Sequence, residues 1–141
     1  MSLELSMVYY HILFNENASN LCTIFLPCGK YCYKRLPMGV ANSPDNFQHK
    51  MNDWFHILEF IRAFIDDILI LTKGDWTDHV QKLELTLNKL KEKWLTYNIG
   101  RSFFGQTEME YLGFWVTRDV VKLININMEV ITNMKLPTSQ K

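Results

Sequence analysis

The order of hydrophobic patterns predicts an α+β fold: an antiparallel sheet with helices on one face, close to a split βαβ (ferredoxin-like) arrangement. Three observations lead there. Two long segments carry apolar residues at helical spacing, several short β-type runs are joined by tight turns, and the two kinds of segment alternate along the chain.

Taken in order, Leu3 to Phe14 reads as a strand passing into a turn at Asn15-Glu16-Asn17. Leu21 to Leu26 and Tyr31 to Arg35 flank Pro27-Cys28-Gly29-Lys30 and predict a β-hairpin. Ser43 is placed to cap a helix with Pro44 at its first position. Phe47, Met51, Trp54, Phe55 and Leu58 give that helix one apolar face. Two apolar β runs follow, Phe60 to Ile65 and Ile68 to Leu71, separated only by Asp66-Asp67. A second helix is expected from about Thr77 to Tyr97, with Val80, Leu83, Leu87, Leu90 and Trp94 along one stripe. Glu110 to Val116 and Val120 to Ile124 predict a hairpin around Thr117-Arg118-Asp119, and a short helix around Met128 to Lys135 ends before Pro137. Trp54, Trp94 and the leucine stripe are expected in the core.

The 141 residues suit one domain, and no repeat, linker or low-complexity tract divides them, so residues 1–141 are read as one domain. The hydrophobic share of 48% supports a single core. Fifteen Lys and Arg offset fifteen Asp and Glu, so net charge gives no sign of a polyanionic partner. Locally the balance differs: from Cys22 to Lys50 the charges are Lys30, Lys34, Arg35 and Lys50 against Asp45. Cys22, Cys28 and Cys32 are odd in number and lack a Cys-x-x-Cys pair, which argues for reduced thiols in an intracellular protein. The four histidines are scattered and suggest no metal site. No apolar run approaches a membrane span and no signal peptide is seen, so a soluble, unsecreted protein without a membrane partner is expected.

Asp66-Asp67 is the chemically distinctive feature. Two carboxylates in a tight turn between apolar strands concentrate negative charge, which is costly unless a cation neutralises it. Hard oxygen ligands on a hairpin suit Mg²⁺. Taken by itself, Asp-Asp is far more often a polar filling for a turn, and the pair is a weak signal without its neighbours.

The surrounding residues resemble reverse transcriptases. Phe64-Ile65-Asp66-Asp67 is similar to the aromatic-x-Asp-Asp box, and Arg35 to Gln48 (RLPMGVANSPDNFQ) to the Leu-Pro-x-Gly…(Ala/Ser)-Pro…Phe-Gln motif. Tyr9-Tyr10-His11-Ile12 resembles the segment after the first catalytic aspartate. Asn98 with Arg101-Ser102-Phe103-Phe104 resembles Asn-x-x-Lys-(Cys/Ser)-x-Phe, and Glu110-Tyr111-Leu112-Gly113-Phe114 the primer-gripping motif. Lys135-Leu136-Pro137-Thr138 is similar to the stretch leading out of the palm. The matches run in family order across nearly the whole chain and resemble the palm of gypsy-like long-terminal-repeat retrotransposon polyproteins.

The resemblance implies a polymerase palm with a fingers hairpin. It implies Glu4, Asp66 and Asp67 as catalytic and metal-binding residues, two Mg²⁺ ions with Mn²⁺ as a substitute, and two-metal nucleotidyl transfer. Tyr9 would be the steric gate against a ribose 2′-hydroxyl, or else a core aromatic. Met38 and Gly39 would border the nucleotide, or form a plain turn before the helix. Arg101 would neutralise pyrophosphate where the family has Lys, or be a solvated basic residue. Phe64, Tyr111, Leu112 and Gly113 would lie at the primer and template, with Gly113 bending its strand or forming a bulge. Implied partners are an RNA/DNA primer-template, deoxynucleotides and the rest of a retroelement polyprotein, in the cytoplasm or a retroelement particle.

Two positions depart from the pattern. Glu4 stands where the family has aspartate, moving the carboxylate by about an ångström, a displacement able to slow catalysis roughly a hundredfold. Val8 stands where the family has Gly and takes positive φ poorly. The family's N-terminal fingers, thumb and ribonuclease H region are not among the 141 residues, so a partial domain is expected. Three functions follow: an RNA-directed DNA polymerase impaired at Glu4, a catalytically silent relic, and a small nucleic-acid-binding module using Tyr31, Tyr33 and the Lys30–Arg35 cluster.

Overall fold

The computed structural model describes residues 1–117 and 119–123. The chain divides into two compact units, Met1–Phe104 and a second from Gly105 onward. The boundary is one residue, Gly105 at φ 62, and no change of composition marks it.

The first unit contains a four-stranded antiparallel sheet in the order β4-β5-β1-β6, where β1 is Ser2–Ser6, β4 Ile61–Phe64, β5 Asp67–Ile70 and β6 Thr96–Phe103. Helix α2 (Ser43–Phe55) links β1 to β4, and α3 (Trp76–Glu92) links β5 to β6. Each connection skips one strand, which is the split βαβ pattern. Register decides which side chains share a face, because directly paired residues point the same way. Leu3 pairs with Ile68, Ala63 with Ile68 and Ile61 with Ile70. These side chains form the core with Phe47, Met51 and Phe55 of α2 and Leu90 of α3. Burying each large apolar side chain contributes about 1.5–3 kcal/mol, so this face anchors the sheet. The opposite face carries Glu4 paired with Asp67, Asp67 paired with Phe64, and Glu4 paired with Asn98.

Between β1 and β4 lie a 3-10 turn (Val8–His11), the short helix α1 (Glu16–Leu21) and the hairpin of β2 (Thr23–Leu26) and β3 (Gly29–Cys32). The expected strand Leu3–Phe14 thus stops at Ser6, where Met7 takes φ 52 and turns the chain. Asn15, read as a turn residue, caps α1 by accepting a hydrogen bond at Oδ1 from the Ala18 amide at 2.8 Å. The expected hairpin is present but tighter: Gly29 and Lys30, read as part of the turn, pair with Leu26 and Phe25, so Pro27-Cys28 is a two-residue loop and the second strand ends at Cys32, short of the expected Arg35.

Helix α2 has its predicted apolar face but a different start. Asn42 is the N-cap, and Ser43 instead donates from Oγ to the Pro37 carbonyl at 3.1 Å. Helix α3 is capped by Asp75, which accepts from the Asp78 amide at 2.9 Å, and it ends at Glu92. Trp94, expected in the core, lies past that end at φ 59 and is 84% exposed. Val80 is also exposed. Residues from Thr96, read as the tail of the helix, begin β6 instead.

The second unit contains β7 (Glu108–Tyr111), β8 (Phe114–Thr117) and β9 (Val121–Leu123) in one antiparallel sheet. The expected strand Glu110–Val116 is two strands joined by Leu112-Gly113, both at positive φ (49° and 78°), as a type I′ hairpin turn requires. Gly113 therefore serves a tight turn and is not a bulge. The helix expected at Met128–Lys135 and the Lys135–Thr138 segment lie outside the described residues.

Candidate active site

The β4–β5 hairpin turns on two residues, Ile65 and Asp66, with Phe64 and Asp67 paired across its mouth. Both aspartates were expected in the turn, yet Asp67 is the first residue of β5. A two-residue hairpin needs positive φ at its first central position, and Ile65 supplies it at φ 50. That conformation is unfavourable for a β-branched residue. Gln48 of α2 holds it. Its Oε1 accepts from the Ile65 amide at 2.6 Å, while its Nε2 donates to the Ala63 carbonyl at 3.1 Å and to Asn52 Oδ1 at 2.9 Å. Gln48 stands in the Phe-Gln motif, but its part in shaping the turn carries no local sequence signal. Its partner Phe47 is fully buried and makes edge-to-face contacts with Tyr9 and Trp54.

Glu4 reaches the same place from β1. The Leu5 amide donates to the Asp66 carbonyl at 2.7 Å, tying the turn to the strand that carries Glu4. Burial pushes the Asp67 carboxyl above its ordinary pKa, and the charges of Asp66 and Glu4 push it further. Asp66 and Glu4 thus both lie within electrostatic reach of Asp67.

Strand β6 completes the surroundings. Ser2 pairs with Phe103 and Glu4 with Asn98, so β6 bulges between these two points. The bulge is pinned to Asn98: the Gly100 amide donates to Asn98 Oδ1 at 3.0 Å and Ser102 Oγ donates to the Asn98 carbonyl at 2.7 Å. Ser102 Oγ also accepts from the Glu4 amide at 3.3 Å. From this bulge Arg101 Nη1 donates to Glu4 Oε1 at 2.8 Å. The bond and the carboxylate charge raise the guanidinium pKa further.

Hard oxygen donors and mutual repulsion are what a divalent cation would relieve. The arrangement is less favourable. Among the described residues no group of three or more His, Cys, Asp or Glu side chains is placed to hold a metal ion. Glu4 has turned to Arg101, so Glu4, Asp66 and Asp67 do not fit a three-carboxylate cage as they stand.

The other expected site residues are distributed as follows. Tyr9 is half-buried against the core and in edge contact with Phe47 at 6.0 Å. Met38 is exposed, and Gly39 takes φ 93 with open space where a Cβ would stand. Phe64 is half-exposed on the face of Asp67. Val8 carries no positive φ; that conformation falls on Met7, and Val8 is buried, so its departure from glycine strains nothing. Tyr111, Leu112 and Gly113 belong to the second unit's hairpin. Tyr31 is exposed, and Lys30 Nζ lies 5.6 Å from the Phe25 ring centre on the same β2–β3 hairpin. No helix among the described residues is long and apolar enough to cross a membrane.

Comparison with known proteins agrees with this geometry. Over 99% of its length the chain is 32% identical to the retrovirus-related Pol polyprotein from transposon opus of Drosophila melanogaster, and covers 14% of that protein. It is 28% identical over 86% of its length to the corresponding polyprotein from transposon gypsy, covering 12% of it. The chain thus spans a small part of these relatives. A foamy viral protease-reverse transcriptase in complex with RNA/DNA hybrid shares the fold, with a TM-score of 0.79 at 22% identity over 96% of this chain and 18% of that one. Residues 1–116 match the model of the reverse transcriptase (RNA-dependent DNA polymerase) family. The two-crossover sheet, the Asp-Asp hairpin and these matches together place the chain in the reverse transcriptase (RNA-dependent DNA polymerase) family.

Proposed function

We propose that the chain forms the palm of an RNA-directed DNA polymerase, in which a primer 3′-hydroxyl attacks the α-phosphate of a deoxynucleotide and pyrophosphate leaves. The observation that carries this reading is the meeting of Glu4 and Asp67 across β1 and β5, beside Asp66 in the turn, in a chain of this family. By family, divalent ions, Mg²⁺ or Mn²⁺ in its place, would supply Lewis acidity for nucleotidyl transfer, and Glu4, Asp66 and Asp67 would have to leave their present arrangement, with Glu4 freed from Arg101, to hold them. Phe64 on the same face would lie under the primer end. Met38 and Gly39, exposed before α2, would border the nucleotide, and Tyr9 is buried enough to serve mainly as packing under that site. An RNA/DNA primer-template, deoxynucleotides and the remainder of a retroelement polyprotein are the partners, and the setting is intracellular.

We further infer that this copy is impaired, since the Glu4 carboxylate is engaged by Arg101. The test is primer extension on an RNA template, with residues 1–116 grafted in place of the matching segment of a foamy viral enzyme. Glu4→Asp should raise incorporation roughly a hundredfold over the unaltered graft. Equal rates in folded grafts would remove the impairment.

A further inference from the structure

His79 stands in the first turn of α3, a titratable side chain that the proposed reaction leaves unused. Its ring is held from two sides. Nδ1 lies 2.9 Å from Thr72 Oγ1, in the link between β5 and α3, and the ring stacks on Trp76 with centroids 5.3 Å apart and planes 29° apart. Nε2 is buried and meets no hydrogen-bonding partner among the described residues. With Thr72 donating, the neutral ring carries its one proton on Nε2; with Thr72 accepting, Nε2 is a bare acceptor. The imidazolium carries both protons, so it buries a charged N–H without an acceptor, which costs more than either neutral form. The surrounding charges act mostly the same way. The Met1 amine, which donates to the Ile70 carbonyl at 3.3 Å, opposes a positive ring, as do Lys82 and the N-terminal end of α3. Asp78 favours one, but its carboxylate already binds Lys82 Nζ at 2.8 Å and accepts from the Gly74 amide at 3.3 Å.

We propose that His79 is a proton-sensitive latch on the β5–α3 link: the neutral ring fastens Thr72 to the start of α3, and protonation expels the ring and frees that link. Trp76, 68% exposed, loses its stacking partner in the same step. Burial, and then the Met1 amine, hold the ring below the ordinary histidine value of 6.5 in the folded chain. The unlatched or unfolded chain therefore takes up the proton first. Stability from the latch is complete above the ordinary value and is lost as pH falls through the folded one. The latch does not depend on the polymerase reading, since its test follows a proton and a fold and not catalysis.

The experiment is a pH titration of the 141-residue chain by nuclear magnetic resonance, reading the His79 ring protons, the Thr72 amide and the Trp76 indole. The His79 midpoint should fall below 6.5, with the Thr72 and Trp76 signals moving at that same midpoint. Urea unfolding at pH 7.5 and pH 5.5 then compares the unaltered chain with His79→Phe, which keeps a ring against Trp76 and cannot titrate. Acidification should raise the unfolding constant of the unaltered chain more than that of His79→Phe. The excess should lie between about threefold and about tenfold, the upper limit set by a histidine titrating near 6.5 in the unfolded chain. A His79 midpoint at or above 6.5 would overturn the proposal, as would Thr72 and Trp76 signals that ignore the titration of His79. An equal acid response in a folded His79→Phe would overturn it too. If that variant does not fold, the titration of the unaltered chain decides.

Discussion

Gln48 Oε1 accepts a hydrogen bond from the Ile65 amide at 2.6 Å, so a helix side chain sets the geometry of the turn that carries Asp66. The same amide group grips the Ala63 carbonyl on the opposite limb of the hairpin. Gln48→Leu would leave the Ile65 amide and the Ala63 carbonyl without this partner. Unfolding in urea should show a loss of about 1–3 kcal/mol, and the Ile65 amide should exchange with solvent faster.

Gly39 separates conformational from steric demand. At φ 93 any L side chain is strained, although a Cβ there would meet nothing within 4 Å. Gly39→Ala should destabilise by about 1–2 kcal/mol with no change in core packing, read from the denaturation midpoint.

Asp67 gives stability a definite pH dependence. Its folded-state pKa is raised, first by burial and then by Asp66 and Glu4, so the folded chain binds this proton more tightly than the unfolded chain does. Stability from this group therefore falls as pH rises from the ordinary carboxylate value, about 3.9, through the folded value. Asp67→Asn should melt at a higher temperature than the unaltered chain at pH 7. The gap should narrow as pH is lowered toward about 4, and a gap that widens on acidification would reverse the sign.

Phe47 anchors the platform beneath the site. It is fully buried, and its ring meets Tyr9 at 6.0 Å and Trp54 at 6.3 Å between centroids. Phe47→Ala should cost about 3–5 kcal/mol, measurable as a collapse of the unfolding midpoint. Phe47→Leu should lose less, because most of the volume is kept.

The parts legible in the sequence are those with local signals. Helices α2 and α3 announce themselves by apolar spacing, and the β2–β3 hairpin by Pro and Gly. The Asp-Asp hairpin is visible because two apolar runs flank it. What escaped depends on distant partners or on weak patterns. Strand β6 is mostly exposed and bulged, so its residues show no alternation, and Arg101 looks like a solvated base until Glu4 is placed beside it. Helix α1 has six residues and no apolar stripe, leaving only the Asn15 cap as a sign. The end of α3 lacks a glycine, so the stripe seemed to run on to Trp94, whose positive φ the residue type does not advertise. The one-residue shift of Asp67 into β5 follows from its pairing with Glu4, which no local pattern records.

Among all these tests, the most direct is RNA-templated primer extension by the graft of residues 1–116 carrying Glu4→Asp, with and without Asp66→Asn. Template-dependent incorporation that Asp66→Asn abolishes is the expected result. A folded graft that binds primer-template yet incorporates nothing, or whose incorporation is indifferent to Asp66→Asn, would contradict the assignment of this sheet face as a polymerase centre.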